Sequence, residues 1–278
     1  MDAYVLNIAL KDSQGRIKIK AHNNKQDIIY GTLSVLIILT IYAFFSFEYK
    51  SINYLTAFSE SIANIFNMFT QPKAVHFTFE EALSQLMVTA SLALLTTVLG
   101  GIVALALALL AAQNLTNTKV SNRIKGFVAF IRAVPTVLWV LIFAVSAGLG
   151  SVAAVIGLSF HSVGYLIKCY SEAFEELDKG VIEALKASGA NWWQIVFQAV
   201  IPSSLTYLFA WTFIRFEINF INAVAMGAAA GAGGIGYELF MAGNFYYNTS
   251  EIGYIVYLVL IFTLTLEICS NKLKAKIK

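Results

Sequence analysis

Residues 205–239 read LTYLFAWTFIRFEINFINAVAMGAAAGAGGIGYEL, and Gly231, Gly233 and Gly236 within them fit G-x-G-x-x-G. That fingerprint binds a dinucleotide only where it joins a strand to a helix in a βαβ unit, its glycines letting backbone approach a pyrophosphate at a helix N-terminus. Here the block that precedes Gly231 is long and apolar enough to cross a bilayer as a helix, and it lacks the alternation of a strand. Glu251, 15 residues beyond Gly236, has the chemistry of a ribose-binding acid but no sheet to hold it. The glycine cluster Gly231, Gly233, Gly234 and Gly236 therefore reads as a tight re-entry into the membrane between the last two helices.

The rest of the chain agrees. Of 278 residues, 58% are hydrophobic and 13% charged, with mean hydropathy +0.71, whereas a soluble domain carries about 25% charged residues. Six blocks can span a bilayer: about 28–47, 84–111, 126–147, 151–170, 205–230 and 251–269. Backbone amides in hydrocarbon need internal partners, so these blocks are helices and the fold class is an all-α membrane protein. The expected layout is a tail over 1–27, a transmembrane domain over 28–270 with a patterned loop at about 171–204, and a basic tail over 271–278. The polar stretch before the first block, and the length of that block, argue against a cleaved signal peptide. A net charge of +3 gives no case for nucleic acid. Cys169 and Cys269 stand in no metal-ligand or redox spacing and read as small reduced residues.

Lysine and arginine set the orientation. Lys11, Arg16, Lys18, Lys20 and Lys25, then Lys119, Arg123 and Lys125, then Lys179 and Lys186, then Lys272, Lys274, Lys276 and Lys278 all fall on one side of the six-span layout; Lys50 and Lys73 fall on the other. The positive-inside rule then puts both termini and the 171–204 loop in the cytoplasm of a bacterial-type inner membrane. In the second block Gly100, Ala104, Ala108 and Ala112 recur every fourth residue, a smooth stripe for close helix packing, within the chain in preference to between two copies. The outer segment 48–83, with SIANIFNMF at 61–69, has the mixed character of a helix lying along the interface.

The loop from 171 reads SEAFEELDKGVIEALKASGANWWQIVFQAVIPSSL. Glu183, Ala184, Leu185 and Ala187 stand in a good helix-forming run, Gly189 can end it with a left-handed cap, and an apolar cluster from Trp192 to Phe197 precedes Pro202. Two short helices joined at Gly189 and lying beneath the membrane are expected. This stretch resembles the Glu-Ala-Ala loop of ABC-importer permeases: Glu183, Ala184, Gly189, Ile201 and Pro202 occupy its offsets, while Leu185, Ala199 and Ile201 depart mildly in residue type. The segments 130–150, 161–191 and 215–219, with GAGGIGYEL at 231–239, look like the phosphonate-transporter permease family over about 80–270.

The resemblance implies a type I ABC importer permease architecture. It implies that the loop docks on an ATPase subunit and that two ATPase copies and a second permease chain, identical or paralogous, complete the transporter. It also implies an extracytoplasmic binding protein that delivers the substrate. No G-x-x-x-x-G-K-[ST] occurs, so no cofactor is expected on this chain; ATP and magnesium belong to the partner ATPase. The chain is then a transport subunit and not itself an enzyme, with a phosphonate or related phosphorus oxyanion as substrate.

Charged and polar residues inside the blocks are the candidate path residues, and the turn glycines Gly231, Gly233, Gly234 and Gly236 are expected close to the path. Arg215 and Glu217 lie about halfway along the fifth block, where an ionised group costs about 2.5–3.5 kcal/mol on insertion scales. At i,i+2 they point apart, whereas Arg215 and Asn219 share a face. Arg215 either offers a bidentate cation to a passing oxyanion or belongs to a buried interhelical pair, and Glu217 is expected to pair with a basic residue of another helix. Arg132, near the helix-kinking Pro135, reads as a snorkelling side chain or a path residue, and Lys168 snorkels. His161, mid-span, reads as a neutral imidazole bonded to a neighbour, or as a gate. An ion-coupled secondary transporter using Arg215 and Glu217 would account for the charges but leave the 171–204 loop idle, and no inverted repeat supports it.

Overall fold

The computed structural model describes residues 24–46 and 53–277. Among these residues every regular element is helical. The expected tail lysines from Lys11 to Lys20, and Lys50, lie outside the described residues, as do the side chains of Lys274, Lys276 and Lys278. The chain divides into two units at Ser59. In the first, α1 (Asn24–Ser46) is long and apolar enough to cross a membrane. Its Thr32 and Thr40 hydroxyls donate to the carbonyls of Ile28 and Leu36, so the helix satisfies its own polar groups.

In the second unit, the end of α2 (Tyr54–Thr70) leads to α3 (Phe79–Ala111), which starts at a capping box: Thr78 Oγ1 accepts from the Glu81 amide, and the Glu81 carboxylate accepts from the Thr78 amide. α3 packs most extensively on α6 (Ser151–Glu175). The small-residue stripe makes that contact. Ala104, Ala108 and Ala112 are fully buried, and a side chain on Gly100 would meet Ser162 Cβ at 2.7 Å. Of the two uses its spacing allows, the stripe serves packing within the chain.

The block expected as one span over 126–147 is broken at Pro135, where a kink was expected, into two helices, α4 (Thr118–Ala133) and α5 (Thr136–Ala147), bent by 89°. Pro135 removes a helical donor, and Val134 takes an extended conformation. The Trp139 indole then donates at 2.9 Å to the Ile131 carbonyl, satisfying an acceptor that the break frees. Val140 sits against Gly157, where a Cβ would lie 2.6 Å from the Val140 Cα, so α5 packs across α6.

Beyond α6 come α7 (Lys179–Ala187) and α8 (Trp192–Ile195), the two short helices expected around Gly189. A π-helical segment, Val196–Val200, joins α8 without a break to α9 (Ile201–Ala230), so the fifth spanning helix begins well before residue 205. α10 (Ile235–Asn244) packs on α9 and α3, and α11 (Thr249–Ile277) is the last element. One apolar cluster, with Ala108, Phe174, Ile182, Ile195 and Leu208, joins α3, α6, α7, α8 and α9 at the α7 end. Another, with Leu86, Phe220, Ile235 and Ile255, joins α3, α9, α10 and α11 at the opposite end. Five described helices are long and apolar enough to span a membrane, six if the bent pair is one span.

Candidate functional site

Three places hold most of the candidate residues: the α7–α8 loop, a buried cluster on α9, and the turn between α9 and α10. In the loop, Gly189 stands at φ +83°, its amide donates to the Lys186 carbonyl at 3.0 Å, and the Ala190 amide donates to the Leu185 carbonyl at 3.0 Å. That pair of bonds is a Schellman cap, which requires a left-handed residue at the position of Gly189. Asn191 and Gln194 form a reciprocal capping box that starts α8 on the far side of the bend.

The inward side of α7 is built into the core through Ile182 and Leu185, and the Trp192 indole donates at 3.0 Å to Leu115 in the α3–α4 turn. Glu175 accepts from the Gln113 amide at 2.7 Å and from Lys125 Nζ at 2.8 Å. The outward side presents Glu183, Ala184, Lys186, Ala187 and Gly189, all exposed; Pro202 is exposed in the first turn of α9. Buried contacts thus tie the loop to α3, α6 and α9.

The second place is centred on Arg215, which is 1% exposed. Its Nε donates to Ser162 Oγ at 3.0 Å, its Nη2 lies 3.2 Å from His161 Nδ1, and its Cζ lies 5.1 Å from the centroid of the Tyr165 ring. A guanidinium can only donate, so the contact with His161 needs an unprotonated Nδ1. One turn on, Asn219 Nδ2 donates to Thr97 Oγ1 and to Ser162 Oγ, both at 2.9 Å. Arg215 and Asn219 thus share a face, as their spacing predicts, and Ser162 bridges them. Among the described residues no carboxylate pairs with Arg215; its neighbours are a hydroxyl, an imidazole and an aromatic face.

Glu217 lies elsewhere. It lines a pocket between α9 and α11 together with Glu267, and among the described residues no basic side chain pairs with it, in contrast to the expectation of a cationic partner. Arg132, near the C-terminus of α4, is exposed and lines a cleft with Lys125, Lys168, Glu172 and Glu175. Lys168 pairs with Glu172 at 3.6 Å.

At the third place Gly231, at φ +62°, ends α9, and Gly233 and Gly234 also hold positive φ. A side chain on Gly234 would collide with Thr89 Oγ1, the hydroxyl that accepts from the Ile235 amide at 3.0 Å. A side chain on Gly236 would strike the Val224 carbonyl. These glycines make a tight turn that lets α10 pack backbone to backbone on α9.

Sequence reasoning did not name Thr97, Ser162 or Tyr165. The Thr97 and Ser162 hydroxyls also bond their own helix, to the carbonyls of Ala93 and Leu158, and so look self-satisfied in one dimension. It also missed Glu251 as a clamp. That buried carboxylate accepts from the amides of Val75 and His76 at 3.0 and 2.8 Å and from His76 Nδ1 at 2.8 Å, and the His76 ring stacks on Tyr246.

Residues 104–275 match the family of binding-protein-dependent transport system inner membrane components. The chain belongs to that family. The phosphate-import permease protein PhnE of Mycolicibacterium smegmatis is 28% identical to this inner membrane component over 190 residues, 68% of this chain and 35% of that one. The phosphite transport system permease protein PtxC of Stutzerimonas stutzeri is 38% identical over 109 residues, 39% of each chain. The chain therefore spans well under half the length of these two relatives.

Two solved structures share the fold. An inward-facing MetNI methionine ABC transporter matches with a TM-score of 0.66 at 20% identity, over 73% of this chain and 100% of that one. A bacterial ABC transporter involved in alginate import matches with 0.61 at 13% identity, over 92% and 100%. The architecture is that of type I ABC importer permeases, and the fold class expected from the sequence holds.

Proposed function

We propose that the chain is the permease subunit of an ATP-driven importer for phosphonate or a related phosphorus oxyanion, with Arg215 as the cation that meets the oxyanion in transit. The observation that carries this reading is the buried Arg215, which has no carboxylate partner among the described residues. A charge in that position needs compensation, and a mobile anion supplies it without locking the site. The planar fork of the guanidinium suits two oxygens of a tetrahedral anion. The names of the relatives, which speak of phosphate and phosphite, agree with that chemistry.

In this reading α7 docks through Glu183, Ala184 and Ala187 on a separate ATPase, which holds ATP and magnesium. Two ATPase copies, a second permease chain and an extracytoplasmic binding protein complete the transporter. Both termini face the cytoplasm of a bacterial inner membrane. Nucleotide binding draws the two α7 helices together and opens the path outward; hydrolysis resets it, and the ligand leaves inward. Asn219 and Ser162 hold Arg215 in place through the cycle.

The test is uptake of radiolabelled phosphate and methylphosphonate by vesicles containing the complete transporter. Uptake that needs ATP on the cytoplasmic side and survives a protonophore supports the proposal. Uptake that persists without ATP and collapses with the ion gradient replaces it with the ion-coupled carrier.

A further inference from the structure

The accessible side of α6 is narrower and more polar than the composition of the helix suggests. Between residues 161 and 175 most side chains are buried, and those left open include His161, Tyr165, Lys168 and Glu172. Their spacing of four, three and four places them on one helical face. In a membrane-crossing helix an open polar face lines water or meets another polar surface, because facing lipid would strand its charges.

One end of this face lies under Arg215, through His161 and Tyr165. The other end opens into a cleft of about 220 Å³ between α4 and α6, at the α7 end of the molecule. Gly164 permits the approach of α4. A side chain there would meet Ile131 Cγ2 at 2.7 Å and Arg132 Cγ at 3.6 Å, so the C-terminal turn of α4 rests on α6 and brings Arg132 beside the polar face.

Within the cleft the charges do not cancel. Lys125 is paired with Glu175 and Lys168 with Glu172, and Arg132 has no acidic partner among the described residues. We infer that this cleft is a second oxyanion station, in which Arg132 takes a small tetrahedral oxyanion handed down the His161–Tyr165–Lys168 face from Arg215. The inference rests on the oxyanion-permease reading. It gives that reading a second, weaker site: Arg132 is exposed where Arg215 is buried, so its grip is loosened by water and the anion can leave.

Ala129 lines the cleft, is exposed, and carries no charge, which makes Ala129→Cys a reporter that leaves the cations in place. The experiment uses inside-out vesicles from cells making the complete transporter, with Cys169→Ser and Cys269→Ser as background. The rate of modification is compared for an anionic and a cationic methanethiosulfonate reagent. The inference expects the anionic reagent to react about tenfold faster, and inorganic phosphate to slow it, as charge-assisted binding at one guanidinium would. Arg132→Gln should abolish both effects, and Arg132→Lys should keep the charge preference while weakening the protection by phosphate.

Equal rates for the two reagents, no reaction, or no effect of phosphate overturns the station. So does slowing that appears only in vesicles enriched in phosphatidylglycerol, since the anion would then be a lipid headgroup. Loss of these effects while uptake remains ATP-driven and sensitive to Arg215→Gln overturns the station alone; loss of ATP-driven uptake overturns the parent reading.

Discussion

Replacing Gly189 tests whether the bend between α7 and α8 transmits force. Gly189 sits at φ +83°, and its amide closes one of the two bonds of the cap. An L-residue in the left-handed region costs about 1–2 kcal/mol, so Gly189→Ala should cut the population of the bent geometry roughly 5- to 30-fold relative to its competitors. Gly189→Pro goes further. Proline fixes φ near −65° and deletes the amide that donates to Lys186, which adds roughly 0.5–1.5 kcal/mol of lost hydrogen bond to a backbone that cannot take the native angle.

The nine-residue α7 cannot absorb that loss, because a helix shorter than about 12 residues is marginal alone and depends on its caps and its packing. Buried Ile182 and half-buried Leu185 should still hold the loop near the core, so the chain inserts normally while the outer face turns away from its partner. The assay is ATP hydrolysis by the reconstituted transporter with its binding protein, with and without ligand, normalised to the amount of inserted chain. Ligand-stimulated hydrolysis should fall partially in Gly189→Ala and vanish in Gly189→Pro. Wild-type stimulation in the proline variant at wild-type insertion would refute the lever.

Three further outcomes follow from the geometry. Asn219→Ala removes the bonds to Thr97 and Ser162 and should destabilise the detergent-solubilised complex by about 0.6–1.7 kcal/mol, the range for interhelical hydrogen bonds in membranes, read as a lowered melting temperature. Gly253→Ala drives a methyl into the Met68 carbonyl and should lower stability by about 1–3 kcal/mol, whereas Gly243→Ala, with only Ile252 Cδ1 at 3.7 Å, should leave it unchanged or raise it by up to about 1 kcal/mol. Glu251→Gln weakens the charge-assisted bonds to the amides of Val75 and His76, worth about 1.5–3 kcal/mol together with the histidine contact, and should speed hydrogen exchange at those two amides at least tenfold.

Much of this molecule can be read from its residues, for physical reasons that differ from place to place. The Gly189 bend was legible because a run of helix formers followed by glycine satisfies the local rules for a cap, whatever the tertiary context. The glycines at 231–236 were legible as a turn once the block before them was seen to be a membrane helix. The shared face of Arg215 and Asn219 follows from helical periodicity alone.

The 89° break at Pro135 was legible only as a kink. Hydropathy carries no direction, and the indole of Trp139 that makes the break tolerable is eight residues from the carbonyl it serves. The π-helical segment at Val196–Val200 carries no composition signal of its own. The hydroxyls of Thr97 and Ser162 gain their role from the close approach that Gly100 permits, which belongs to packing between two helices rather than to either sequence. Glu217 shows the opposite case: a charge midway along an apolar block led to the expectation of a cationic partner, and the described chain supplies a second carboxylate, Glu267, instead.

Equilibrium binding at Arg215 tests most directly the proposal that this buried cation meets an anion. Labelled phosphate and methylphosphonate are titrated onto the complete transporter in nanodiscs of neutral lipid, for the wild type, Arg215→Lys and Arg215→Gln. Saturable binding should weaken in the lysine variant and fall at least tenfold in the glutamine variant, with melting temperature raised by the anion in the wild type, less in the lysine variant and not in the glutamine variant. Undiminished binding to Arg215→Gln, together with a stability gain from that neutral substitution that no anion alters, would contradict the proposal.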